Sequence, residues 1–274
     1  MDLNILPILV FGSCIGSFLN VVIYRLPRKI SFIFKRSQCI SCKRNLNVID
    51  LFPILSWIVL RARCRYCGFF IPIRYPLIEL TTSILFSLCL FSKGWKYDSI
   101  PSSFVLISGW ILVSYVIALC FIDYDYMILP NSLNYSGALV GLFLIFYYEK
   151  CIAKTDIIFF FNHLSTYIFS LIGFLIFNIL IKIIISKPAL GNGDAKLFAM
   201  SGAWLGIEGL EVTIALSFLI SAIFIVFGFI SKRIKKGEYI PFGPFICVSI
   251  LLVWFFSPTF WFEKLGDIFW WKYI

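Results

Sequence analysis

Eight runs of apolar residues, at 4–24, 76–91, 102–122, 132–148, 163–186, 196–211, 212–230 and 244–257, constrain this chain more than any other feature. At 1.5 Å of rise per residue, a helix of about 20 residues crosses the ~30 Å hydrocarbon core of a bilayer, so runs of this length read as membrane spans. The second, sixth and eighth are the shortest. Only 14% of the residues are charged and 61% are apolar, whereas soluble domains carry roughly 25% charged residues. The chain is therefore predicted to be all-α: a polytopic membrane protein of about eight transmembrane helices with one cysteine-rich loop on the cytoplasmic side. No basic residue precedes the first run, while Arg25, Arg28 and Lys29 follow it. A secretory signal has the opposite arrangement, so this helix is expected to stay in place.

Charge orients the spans. Between Arg25 and Arg74 stand 11 Lys and Arg against one acid, Asp50, and short loops rich in Lys and Arg remain cytoplasmic. Taking alternate loops as cytoplasmic adds Lys182, Lys187 and Lys196, then Lys232, Arg233, Lys235 and Lys236, which brings 18 of the 24 basic residues inside. Both termini then lie outside. The same count delivers the end of the third span and the start of the sixth to one membrane face.

The expected organisation is a first transmembrane helix (1–24), a basic cytoplasmic loop (25–75), a membrane domain of about seven helices (76–257) and a tail (258–274). The aromatic residues of that tail, Trp261, Phe262, Phe269, Trp270 and Trp271, suit an interfacial belt along the outer surface.

Four of the nine cysteines form two CxxC pairs in the basic loop, Cys39 with Cys42 and Cys64 with Cys67. Two such knuckles present four thiolates tetrahedrally, and a cytoplasmic setting favours a structural zinc over disulfides. The alternative is four reduced cysteines in a loop that folds by packing alone. A closed four-thiolate site has no open position, so its metal shapes the loop and does no catalysis. The basic residues around it suit anionic lipid headgroups better than nucleic acid. Cys14, Cys89, Cys120, Cys151 and Cys247 stand alone as apolar filler.

Acids beside apolar spans are few. Asp123 and Asp125 follow the third span in FIDYDYMILPN, Asp194 precedes the sixth in LGNGDAKLF, and Glu79 lies near the start of the second in RYPLIEL. The bland reading makes Asp194 a helix N-cap behind a Gly191–Asn192–Gly193 turn, and makes Asp123 and Asp125 a polar turn closed by Pro130. The topology favours another reading, because Asp123 and Asp194 reach one face from segments 71 residues apart. Two carboxylates sharing a site hold one proton between them; one activates water and the other protonates the peptide carbonyl or leaving amine. The glycines of GNGD let the chain turn tightly and a substrate strand approach. GNGD lacks the Lys and Ser/Thr of a P-loop. His163, the only histidine, belongs on the outer face, away from these acids.

These motifs resemble the type IV prepilin peptidase family. The resemblance is carried by GSFLNVVIYRLP at 16–27, the two CxxC pairs, RYPLIEL at 74–80, the Asp-x6-Pro spacing from Asp123 to Pro130, GNGDAKL at 191–197, GAWLG at 202–206 and IPFGPF at 240–245. It implies that Asp123 and Asp194 are a catalytic pair, supported by Asp125, Gly191, Gly193 and Lys196. It further implies substrates whose short basic leader ends in glycine before an apolar helix: type IV prepilins and type II secretion pseudopilins, cut at the cytoplasmic face of the bacterial inner membrane. Relatives with the cysteine loop also methylate the new N-terminal residue with S-adenosylmethionine. No Gly-rich nucleotide fingerprint marks a donor site here, so that cofactor rests on resemblance. Glu79 and the GSFLN stretch are candidates for the second activity. Against this, Glu79 could be an interfacial partner of Arg74, and GSFLN a small-residue packing face. The approach to GNGD, KPALGNGD, is shorter than in some relatives.

Two other readings compete. A transporter would use the acids to bind a cation or relay protons, with acids near the midplane and repeated halves, and neither sign is evident. A noncatalytic assembly factor would depend on the cysteines and not on the aspartates.

Overall fold

In lipid a backbone has no water to bond, so each apolar run satisfies its own N–H and C=O groups by coiling into a helix. The elements in chain order are α1 (Ile5–Arg25), α2 (Leu55–Val59), α3 (Arg74–Leu88), α4 (Ser102–Tyr126), α5 (Asn131–Tyr147), α6 (Ile158–Ile185), α7 (Asn192–Ile230) and α8 (Gly243–Phe269). They come from a computed structural model, which describes residues 5–31, 36–92, 102–154, 157–185, 191–235 and 239–269. Lys187, Lys236, the approach to GNGD at 186–190, and Trp270 and Trp271 lie outside the described residues. Among those described, seven helical stretches are long and apolar enough to cross a membrane.

One of the seven makes two passes. Gly206 interrupts α7 with φ 67° and ψ −171°, a conformation open to glycine and strained for other residues. Phe198 and Phe218 both pack on Phe242, with ring centroids 6.2 and 5.3 Å away. A straight helix would hold residues 20 apart about 30 Å from each other, so the two limbs of α7 fold back on one another. The break falls at Gly206, a few residues before the expected boundary at 211/212, so seven spanning stretches, one of them two-limbed, stand among the described residues where eight spans were expected. Hydropathy confines the break only to GIEGLE at 206–211, whose two glutamates interrupt the apolar run, and the positive φ singles out Gly206 within it.

Small residues let the helices approach closely, as lipid-embedded packing requires. A Cβ on Gly12 would lie 2.8 Å from the Ser83 Cα, and one on Gly16 would lie 2.7 Å from the Glu79 Cα, so α1 sits directly against α3. Gly137 and Gly141 of α5 receive Met200 and Trp204 in the same manner, and the Trp204 indole N–H donates to the Gly137 carbonyl at 2.8 Å. Trp204 then meets Trp254 of α8 edge-on in the core.

The ends of these helices define two faces. At one, α6 begins where Glu149 accepts the N–H groups of Phe159 and Phe160 at 2.8 and 2.7 Å. There His163 lies buried against the Gly206 reversal, its Nδ1 3.1 Å from the Ala203 carbonyl. α8 also breaks, at Ser257, after which the Trp261 indole reaches back to the Leu252 carbonyl at 3.2 Å. The opposite face gathers the end of α1 and α4 and the starts of α3, α5, α7 and α8.

Candidate active site at one membrane face

α4 runs four residues past the expected end of its span, so Asp123 and Asp125 occupy its last turn and not a loop beyond it. Positions two apart on a helix face different ways, and the structure uses both directions. Asp123 points inward and is 5% exposed. Its Oδ2 accepts the Gly243 N–H at 2.9 Å, at the first residue of α8. That placement sets the carboxylate where free N–H groups and the helix dipole favour negative charge. A Cβ on Gly243 would stand 2.6 Å from Asp123 Oδ2, so the contact requires glycine.

Asp125 points the other way and forms an ion pair with Arg74, the first residue of α3. Arg28 adds a second strap to the same turn, donating to the Tyr126 hydroxyl and lying over the Tyr24 and Tyr126 rings.

α7 delivers Asp194. Gly191 is the N-cap and Asp194 the third helical residue, where its carboxylate accepts the Gly191 N–H. It thus caps from inside the helix, as the acid of a capping box does, and does not occupy the N-cap itself. A Cβ on Gly191 would lie 2.8 Å from Asp194 Oδ2, and one on Gly193 would lie 2.9 Å from the Leu129 Cβ. Each aspartate is therefore held by the N–H of a glycine that has no room for a side chain. Asp194 lies near enough to Asp123 to feel its charge, and Cys247 of α8 feels both acids. Lys196 does not bond either acid in this arrangement; its Nζ donates to Asn131 Oδ1 at 2.7 Å and lies over the Tyr135 ring, tying the start of α7 to that of α5.

The cysteine loop packs over the ends of α1 and α3. Its two knuckles repeat one pattern: the N–H of Cys39 and of Cys64 bonds the carbonyl five residues on, and the N–H of Lys43 and of Gly68 bonds back to that cysteine. Lys43 and Gly68 share positive φ, 58° and 70°. All four sulfurs lie within 4.8 Å of one another, and Cys39 and Cys67 Sγ are 3.7 Å apart. Tetrahedral zinc with Zn–S bonds of about 2.3 Å demands sulfurs about 3.8 Å apart, so the four thiols fit such an ion. Burial pushes the Cys39 thiol up, but the N–H groups of Cys42 and Ser41 and the neighbouring thiols outweigh it and bring Cys39 down to about 7. For Cys67 the Phe69 N–H pulls down, while burial and the three other sulfurs push up to about 11.

Glu79 and GSFLN, separate in the sequence, meet. Glu79 is buried opposite Gly16, accepts the Ile54 N–H at 2.7 Å, and bonds the Ser17 side chain. Glu79 does not pair with Arg74, whose recorded ion pair is with Asp125. GSFLN does provide a packing face, through Gly16, and Asn20 donates to the Tyr75 carbonyl at 3.1 Å. These groups border a cavity of about 520 Å³ between the cysteine loop and the ends of α1 and α3, with Tyr24, Trp57 and Tyr75 on its walls. Gly243 is the site residue that motif reading passed over, although IPFGPF contains it. Its only signal was a glycine just before an apolar span.

Residues 10–93 match the model of the bacterial peptidase A24 N-terminal domain, and residues 110–226 that of the type IV leader peptidase family. A Neisseria gonorrhoeae protein named prepilin leader peptidase/N-methyltransferase is 33% identical over 92% of this chain and 90% of its own length. One of the same name from Aeromonas salmonicida strain A449 is 31% identical over 93% of this chain and 92% of its own. Another, from Myxococcus xanthus strain DK1622, is 40% identical over 72% of this chain, a match spanning 54% of that protein. No solved structure gives a significant match.

Proposed function

The chain belongs to the type IV leader peptidase family, and from that premise we propose that Asp123 and Asp194 are the pair with which it removes prepilin leaders. The observation that carries this reading is their convergence: two acids from different helices interact at one face, each clamped by a glycine N–H. Charge bias supports a cytoplasmic placement of that face, and membership of the family supports the bacterial inner membrane, where type IV prepilins and type II pseudopilins present their basic leaders.

Neither acid needs a covalent intermediate. One carboxylate takes a proton from water as the oxygen attacks the carbonyl carbon of the leader's terminal glycine, and the other donates its proton to the carbonyl oxygen. The new C–O bond forms as the carbonyl π pair moves to oxygen; collapse then breaks the C–N bond and the amine leaves with a proton. Gly243 holds Asp123 through Oδ2, which leaves Oδ1 for the water or the carbonyl oxygen. Gly191 and Gly193 leave the rim of Asp194 free of side chains, and Asp125 and Lys196 hold their helix ends in register. The test is cleavage of a prepilin in membranes carrying intact chain, Asp123→Asn or Asp194→Asn, with insertion verified. Loss in both variants at unchanged abundance supports the pair, and normal cutting by either one sinks it.

The family's second activity is N-methylation of the new N-terminus, and we assign it to the 520 Å³ cavity beside Glu79. The volume lies in the range of small-molecule sites. Carboxylate, aromatic walls and the arginines Arg25 and Arg36 at its rim suit the sulfonium, adenine and carboxylate of S-adenosylmethionine. That molecule supplies an electrophilic methyl group. Glu79 accepts a proton from the new α-ammonium, which makes the amine a nucleophile. Cys39, Cys42, Cys64 and Cys67 hold a structural zinc that fixes the wall of this cavity. On this reading the chain divides into a first helix at 1–24, a loop at 25–75, a membrane domain at 76–257 and an interfacial tail at 258–274, with Glu79 lent to the cavity from the start of the membrane domain.

A further inference from the structure

We infer that residues 48–60, part of the cysteine loop by sequence, dip into the membrane and rest their outer face on lipid. The depth follows from Ile54. Its N–H donates to Glu79 Oε2 at 2.7 Å, and Glu79 lies five residues inside α3. The span Arg74–Phe91 has 18 residues, ~27 Å of helix against a ~30 Å hydrocarbon core. It has no length to spare above the membrane, so Arg74 marks the boundary and Glu79 lies ~7.5 Å below it. α1 agrees: Gly16 abuts Glu79, nine residues or ~13 Å short of Arg25.

The segment is built for that place. Ile54 has φ 61° and turns the chain just before α2, and a backbone N–H at such depth needs the partner that Glu79 supplies. Asp50 is the single charged residue between Val48 and Leu60. Its side chain is 3% exposed, held inward by Arg65 at 2.7 Å and by the Asn47 N–H. What remains outside is apolar: Val48, Ile49, Phe52, Leu55, Ile58 and Val59 are all exposed, Val59 by 76%. α3, read as a span, likewise exposes apolar Leu77, Leu80 and Ile84 around the level of Glu79. Arg61, Arg63 and Arg65, where the segment emerges, are exposed at headgroup height for anionic phospholipid.

The inner face of the segment, with Leu51, Ser56, Trp57 and Leu60, walls the cavity. On the methylation reading, the floor of that cavity borders lipid, and the apolar helix of a cleaved pilin reaches it without leaving the bilayer. The lipid contact itself rests only on α3 spanning the membrane.

The test places the photoreactive residue p-benzoylphenylalanine singly at Val59, at Leu139 on the exposed face of α5, and at Arg44 in the cysteine loop. The intact chain is reconstituted in vesicles of phosphatidylethanolamine and phosphatidylglycerol, irradiated, and its adducts are read by mass spectrometry. Phospholipid adducts at Val59 comparable to those at Leu139, with few at Arg44, are the expected result. Val59 behaving like Arg44, or crosslinking instead to a second copy of the chain, would overturn the inference. Absence of adducts at Leu139 too would overturn the spanning arrangement beneath it. Because no position tested is a proposed catalytic residue, prepilin cleavage by the same samples reports separately on the peptidase reading.

Discussion

Asp123 and Gly243, 120 residues apart, meet in a 2.9 Å hydrogen bond from the glycine N–H to the carboxylate, with no space for a Cβ between them. A methyl group at position 243 would have to displace the carboxylate or the start of α8. Gly243→Ala is therefore expected to lower prepilin cleavage by a factor of about 100 or more, since small misplacements of reacting groups cost that much. Cleavage rates in membranes, normalised to inserted protein, decide it; a variant that cuts normally would show that the clamp is dispensable.

If Asp123 and Asp194 act as one unit, their losses do not add. Asp123→Asn and Asp194→Asn are each expected to reduce cleavage by about a thousandfold or more, and the double variant to be no worse than either. Single-turnover cleavage in all three variants tests this, and additive losses would mean independent roles.

Arg74 and Asp125 join the start of α3 to the last turn of α4. Their side chains are 37% and 18% exposed, so solvent screens the pair and its coupling is expected to be only about 1 kcal/mol. In a cycle of Arg74→Ala, Asp125→Ala and the double variant, cleavage should fall by about fivefold in each single variant and no further in the double. A thousandfold loss at Asp125 would instead place that acid among the reacting groups.

Purified protein is expected to carry one zinc per chain, lost in Cys39→Ser and in Cys64→Ser. Cobalt exchanged into the site should show the absorption of tetrahedral thiolate coordination. Stripping the metal should open the loop to trypsin at Arg61, Arg63 and Arg65. An intact loop without metal would favour reduced cysteines held by packing alone.

Glu79→Gln keeps a group that accepts the Ile54 N–H but removes the base. Among pilin molecules already cleaved, the N-methylated fraction should fall by about tenfold or more, as loss of a general base does. N-terminal mass spectrometry reads this fraction directly. An unchanged fraction would reduce Glu79 to the support of Ile54.

Read along the chain, the residues already place this protein in a membrane, mark its apolar spans, and bring Asp123 and Asp194 to the same face. Those properties are sums along a segment: apolar length sets a span, and Lys and Arg counts orient loops. The cysteine tetrad was legible for the same reason, because a knuckle is built by residues three apart. Which groups meet is a matter of packing. The spans are apolar around most of their circumference, so nothing in them encodes the rotation that turns Asp123 to Gly243 and Asp125 to Arg74, or frees Glu79 to take Ile54. Those pairings depend on where glycines let helices close together, and on Gly206 folding one apolar stretch into two.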